Sequence, residues 1–374
     1  MRWLYAFVIL AACRSSGGDG PTIDVFALAG EVQPEAGALV LATNVDGSPI
    51  DEQTTAGDGH AALEYEAGEL VTIEFVRMNV TQLVTTPAPS TGMLAIHGPL
   101  ADRAPIIAGA LAITAPPITA SSFVVDLGCT QIVLPSVPAT VNILATCFGT
   151  DSSIDVLVRA LQDGNTVAYS AARVPVIDEV GMLDISDWTM VSDTSIPIAQ
   201  NDLSAAITLD EVADGFVFPA ITGTEVWTGL VSDQTRVHAV AANTTTTQFT
   251  AGLPASIAFA ASDFLPAATT QLARAQSMFS WTAFGVGDLV NLHAAWSTFT
   301  WDAVLPPDAT TIGFPDPNIA VPADGVTTSL RAIDGPDTAS FDDVQAGGIR
   351  IQGPTGATIV PPPTAGEVKE TSAL

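Results

Sequence analysis

The chain has 374 residues and a formal net charge of −29, from 40 acidic side chains against 11 lysines and arginines. So acidic a chain repels phosphate backbones and anionic head groups, which argues against nucleic acid as a partner and leaves cations, calcium included, as better ones. Charged residues are only 14% of the chain, against about 25% in an average globular protein, so Thr, Ser, Asn and Gln must supply much of the polar surface.

At the N-terminus an apolar run from Trp3 to Ala12 follows a single positive charge, Arg2. A membrane-spanning helix needs about 20 apolar residues, and this run is half that length. It has instead the layout of a secretory signal, ending in small side chains. Leu10, Ala11, Ala12 and Cys13 resemble the lipobox of bacterial lipoproteins. That resemblance implies cleavage before Cys13 and lipid on its sulfur and new amino group, with an ordinary signal peptide as the alternative. Two or more acyl chains anchor a protein stably. Residues 1–12 are then the signal, and 13–20, "CRSSGGDG", a lipidated cysteine with a flexible tether. Arg14, where inner-membrane retention calls for Asp, implies by the same resemblance an outer-membrane anchor, with the body facing the periplasm or the cell surface.

From residue 21 onward, short alternating runs bounded by Gly, Pro, Asn and Asp dominate. This spacing predicts an all-β protein built of sandwiches. Gly47 and Gly59 are placed to supply positive φ in turns. Ala61, Leu63 and Tyr65 fall on one face of a strand, and Val71, Ile73 and Phe75 on one face of the next. "LAGEV", "GALVLATNVDGSPI" and "TTAGDGHAALEYEAGELVTIEF" resemble the carboxypeptidase regulatory-like family. The resemblance implies a transthyretin-like, Ig-like β-sandwich over 21–86 with an accessory role. It does not bring a zinc peptidase, because none of His60, His97, His238 and His293 has Glu three residues on. "GDGHAA", 57–62, formally fits a dinucleotide fingerprint, but the alternation that follows reads as turn and strand.

Residues 87–352 read as a larger β-sandwich region of one domain, or of two divided near 200. "SSFVVDLGCTQIVLP" and "ATVNILATCFG" suggest two strands joined around Ser136–Ala139. That hairpin would set Cys129 opposite Cys147 for a disulfide, the default for a cysteine pair in an oxidising compartment. Val125, Leu127, Val133, Val141 and Ile143 would share the face. Asp163-Gly164, between "SIDVLVRAL" and "TVAYSAARV", is a strong hairpin turn. "PAATTQLARAQSMF", 266–279, is the best helical candidate, and "SAAITLDEVADG" a weaker one. The final stretch, 353–374, is Pro-rich and polar and is expected to be disordered.

No Gly-x-Ser-x-Gly elbow, HExxH or P-loop is present. His238 and His293 stand alone within strand-like runs, where packed or surface histidines are the ordinary reading; a Ser-His-Asp set assembled from distant segments stays open. No cofactor is implied beyond calcium. Its candidate ligands are Asp334, Asp337, Asp342 and Asp343, and secondarily Asn44, Asp46, Asp51 and Glu52, with solvated turns as the alternative in both cases. Trp296 and Trp301, in "WSTFTW", are candidate glycan-stacking residues, with core packing as the alternative. The expectation that results is a lipid-anchored cell-envelope protein with a non-catalytic structural, adhesive or ligand-binding role, glycans or envelope proteins being its partners. The alternative is a secreted hydrolase or carbohydrate-binding protein whose site lies in 87–352.

Overall fold

A computed structural model describes residues 22–29, 33–65, 68–77, 80–89, 92–98, 107–127, 130–144, 147, 153–195, 198–200, 206–213, 216–217, 221–222, 226–229, 234–252, 254–316, 318–335, 340–346, 349–351, 357–358 and 366–373. The architecture is nearly all β. Among the described residues there is one α-helix, Phe341–Ala346, and no helix is long and apolar enough to cross a membrane.

A 13-stranded sheet forms the centre. Its middle runs through Thr244–Ala251, Gly366–Ser372, Thr327–Asp334, Leu289–Trp296, Phe299–Leu305, Val80–Pro87, Leu70–Arg77 and Leu39–Thr43, in that spatial order. All but one of these pairings are antiparallel; Phe299–Leu305 meets Val80–Pro87 in parallel. Strands near the N-terminus thus pair directly with strands beyond residue 289.

Each face of this sheet buries its own core. On one face, Ile73, Val84, Leu289, Val304 and Ile333 meet Ile23, Val25, Leu94, Ile96 and Ile349 of a second sheet, with Val344 of the helix beside them. That second sheet holds Thr22–Ala29, Met93–Gly98 and Ile349–Ile351 side by side. On the opposite face, Leu83, Leu292, Trp301 and Leu330 pack against Phe279, Trp281, Ile312 and Phe314. The last four come from a three-stranded sheet, Leu272–Ala275, Met278–Trp281 and Thr311–Gly313, and the residue after it.

Residues 107–190 behave differently. Among the described residues their strands pair only with one another, in an eight-stranded sheet with its own core of Leu111, Val125, Val141, Val156, Val174 and Leu183.

Several local expectations hold. Ala61 and Leu63 are buried, as are Val71, Ile73 and Phe75. Gly47 and Gly59 have φ of +84° and +75°. Asp163 and Gly164 turn the hairpin at φ 54° and 86°, both positive as a primed turn requires.

Others are corrected. The helix expected over 266–279 is a hairpin: Leu272–Ala275 pairs with Met278–Trp281, and Gln276 takes φ 55° at the turn. "SAAITLDEVADG" supplies the strand Ala206–Ala213. In both cases β pairing on neighbouring strands overrides a weak helical pattern. Residues 21–86 do not close on themselves as a sandwich, since their strands share both sheets with residues beyond 289. The tail expected to be disordered holds Gly366–Ser372, a strand bonded on both sides, with Thr371 fully buried.

The hairpin drawn around Ser136–Ala139 does not form. Ser122–Asp126 folds directly back on Gln131–Leu134, and Ala139–Leu144 pairs with Ile107–Thr114 instead. The new register puts Ile132 opposite Val125 and leaves Val133 69% exposed, because a shift of one residue turns every side chain to the other face.

Candidate functional site

The central sheet's first core ends part-way across one face, and polar residues continue it. Their positions follow from register. Leu292, Trp301 and Leu330 face the second core, so their neighbours His293, Asp302 and Ser329 face the other way. His293 lies directly opposite Asp302 on one side and Ser329 on the other. Asn291 lies opposite Arg331, and Glu370 opposite Ile333 on the next strand. Continuing outward, Thr247 pairs with His238, and Phe249 with Arg236. In a chain with four histidines and only 11 lysines and arginines, His293 and Arg331 are near neighbours on this face, while His238 and Arg236 look the same way from a strand three places beyond Arg331's.

The centre is tightly bonded. His293 Nδ1 is 2.8 Å from Asp302 Oδ1, the side chains being 10% and 0% exposed. Gln82 Nε2 donates to the other Asp302 oxygen at 3.2 Å. A buried carboxylate is tolerated only when hydrogen-bonded, and Asp302 has a partner on each oxygen. With Nδ1 held by the carboxylate, Nε2 is the nitrogen left to act. Beside this pair, Arg331 Nε donates to Asn291 Oδ1 at 3.2 Å and Nη1 to Glu370 Oε2 at 3.2 Å. Asn291 in turn donates to the Ala303 carbonyl at 3.3 Å. The guanidinium is thereby held in one orientation two residues from Ser329. His238 Nδ1 lies 2.9 Å from Thr247 Oγ1. Such a surface can bind polar groups, and the His293–Asp302 pair can accept and return a proton.

Elsewhere the candidate residues separate. Asp334 lies at a strand end beside Asp288, whose Oδ2 accepts the Gly335 amide at 3.0 Å. Burial, and then the Asp288 charge, raise the Asp334 pKa above its ordinary value, against the pull of Lys369. Asp342 and Asp343 occupy the first turn of the Phe341–Ala346 helix, where Asp343 accepts from Ser340 Oγ at 3.0 Å. Carboxylates there offset the helix dipole. Asp337 lies outside the described residues. Among those described, no three His, Cys, Asp or Glu side chains converge to hold a metal ion. In the second acidic stretch, Asp46 Oδ1 accepts from both the amide and hydroxyl of Ser48, which lowers its pKa. Asn44 also donates to Ser48, and Asp51 accepts from the amides of Glu52 and Glu64. The Asp46 oxygen serves its own turn, and the Asp51 carboxylate bonds to the backbone of its own strand and of the one holding Glu64.

Trp296 and Trp301, 6% and 0% exposed, are core residues and form no surface platform. Trp301 Nε1 donates to Thr85 Oγ1 at 2.8 Å, and its ring meets Phe279 and Phe314 edge-on. Cys147 is 8% exposed at the edge of the core that holds Leu127. Cys129 and Cys13 lie outside the described residues.

Asp302 was not singled out in the sequence, although its signal is local. The hairpin that turns at Ser297, φ 48°, pairs Trp296 with Phe299, and counting outward places His293 opposite Asp302. Ser329 and Arg331 carry no such local signal, because their strand arrives from far along the chain.

No protein-family model and no curated protein matches the chain. Among solved structures it is similar to one titled "The Bacillus anthracis TIE protein", at 11% identity and a TM-score of 0.17. The match covers 62% of this chain and 45% of that one, so this chain spans less than half of that structure's length.

Proposed function

We propose that this is a cell-envelope protein, anchored through lipid on Cys13, that binds a polar ligand on the His293–Arg331 face. The reading is carried by one observation: a chain of net charge −29 places His293 and Arg331 as near neighbours on one sheet face, ordered by Asn291, Gln82 and Glu370. Exposed Thr327, two residues before Ser329 on the same face, adds a hydroxyl that suits a glycan, and an envelope polysaccharide is the ligand class to try first. The lipobox-like Leu10–Cys13 supports an exported, outer-membrane-tethered location. A Cys129–Cys147 disulfide would fit the same location. Cys147 sits in the core beside Leu127, two residues before Cys129, which would tie the end of one hairpin to the chain following Ala139–Leu144.

Several measurements test this reading. Mass spectrometry of the mature N-terminus should find acylated Cys13, and Cys13→Ala should release the protein from membranes. Peptides from the unreduced protein should contain the Cys129–Cys147 link. Arg331→Ala should weaken binding to an envelope-glycan array with the melting temperature little changed. Glycan binding that is absent, or indifferent to Arg331, would overturn the ligand assignment. Proteolysis of intact against lysed cells then separates a surface-facing body from a periplasmic one.

A further inference from the structure

We propose that Ser329, His293 and Asp302 form a nucleophile, base and carboxylate row that hydrolyses a carboxylic ester held on this face. The proposal rests on the reading of the face as a ligand site and names the chemistry done there. The three residues are direct cross-strand partners on three adjacent strands. Residues so placed have Cβ atoms about 4.5–5.5 Å apart, which brings a serine hydroxyl within reach of an imidazole by side-chain rotation alone. Burial falls in the order the chemistry needs: Asp302 is sealed, His293 is one-tenth exposed, and Ser329 is open to solvent.

Each residue has a defined part. Asp302 holds the proton on His293 Nδ1, at 2.8 Å, leaving Nε2 as the base that faces a substrate. Gln82 fixes the second Asp302 oxygen and prevents the carboxylate from turning away. Arg331 projects on the same side two residues beyond Ser329, locked by Asn291 and Glu370. A cation held in place before reaction is what a developing oxyanion requires.

The steps balance. Ser329 Oγ attacks the ester carbonyl as its proton passes to His293 Nε2, and the carbonyl oxygen becomes an oxyanion beside Arg331. The oxyanion collapses, the carbon–oxygen bond to the alcohol breaks, and the imidazolium returns the proton to the leaving alkoxide. Water then attacks the acyl-serine, with Nε2 taking its proton and passing it to Ser329 Oγ. The net reaction is ester plus water to acid plus alcohol. The surrounding Asn291, Gln82 and Thr300 suit a short acyl group on a polar, hydroxyl-rich alcohol.

The test uses the whole chain, a fluorophosphonate probe and p-nitrophenyl acetate. One fluorophosphonate should attach at Ser329, located by peptide mass spectrometry. Ser329→Ala, a change at an exposed position, should keep the melting temperature, abolish the label and lower hydrolysis about a hundredfold or more. Asp302→Asn, which leaves His293 without the acceptor that fixes its tautomer, should lower the hydrolysis rate while the label site stays the same. A folded protein that takes no label at Ser329, or a Ser329→Ala variant with undiminished hydrolysis, overturns the proposal. Glycan-array binding by Ser329→Ala is read separately. Binding without hydrolysis in the unaltered protein leaves the ligand site and removes the catalytic row, whereas loss of both removes the site itself.

Discussion

Trp301 fills the middle of the second core with no solvent exposure and satisfies its one polar atom on Thr85. Replacing it by Ala removes a large ring from a packed core, so Trp301→Ala should cost about 3–5 kcal/mol. Urea unfolding followed by far-UV circular dichroism measures this, and a loss under about 1 kcal/mol would contradict the packing described. Asp334 is a second residue with a clear expectation. Its folded pKa is raised above the unfolded value of 3.8, by burial first and then by Asp288. The folded state therefore holds the proton more tightly. This contribution to stability is fully present below pH 3.8 and is lost as pH rises through the raised folded value. Asp334→Asn should raise the melting temperature at pH 7, and the gain should vanish below about pH 4. A gain that is the same at both pH values would place the effect elsewhere.

At the scale of elements, the Asn44–Ser48 turn docks against the strand Thr311–Gly313. Gly313 donates its amide to the Val45 carbonyl at 2.7 Å. A Cβ at Gly47 would collide with the Phe314 carbonyl oxygen, and one at Gly313 with that of Asp46. Gly47 also holds φ +84°, so Gly47→Ala should lower the melting temperature through strain and collision together, whereas Ala at Gly37, with open space around it at φ +79°, should bear the strain alone. Equal losses at the two glycines would mean the docked turn contributes nothing. The strand Gly366–Ser372 allows a sharper test. It bonds to Thr244–Ala251 on one side and Thr327–Asp334 on the other. A chain ending at residue 365 should therefore lose hydrogen-exchange protection in both neighbours.

What the sequence disclosed divides along the same line. Period-two alternation and turn chemistry are local, and they identified the strands around Leu63 and Ile73 and the Asp163-Gly164 turn. Pairing between distant strands leaves no local mark. Glu367–Thr371 reads as a polar tail until its neighbours are known, and Cys147 reads as the end of a hairpin until Ile107–Thr114 claims the strand before it. The site shows both cases. His293 and Asp302 meet across a countable hairpin, while Ser329 joins them only through the fold.

For the molecule as a whole, the surplus of acid is the dominant long-range force. Repulsion summed over a net charge of −29 opposes compaction, and salt screens it. Raising sodium chloride from about 20 mM to about 500 mM should raise the melting temperature by a few degrees; a fall would show that attractive pairs such as Arg331–Glu370 outweigh the repulsion. The central sheet also imposes an order in time. Its strands between 244 and 334 flank a strand that ends at residue 372, and Thr22–Ala29 shares its sheet with Ile349–Ile351. Neither sheet can close on the ribosome while those later residues are still unmade. The sheet of 107–190, whose strands need no outside partner among the described residues, has its pairing complete early. A nascent chain that stays open for most of its synthesis can still be threaded, which is the state the export proposed above would require of it.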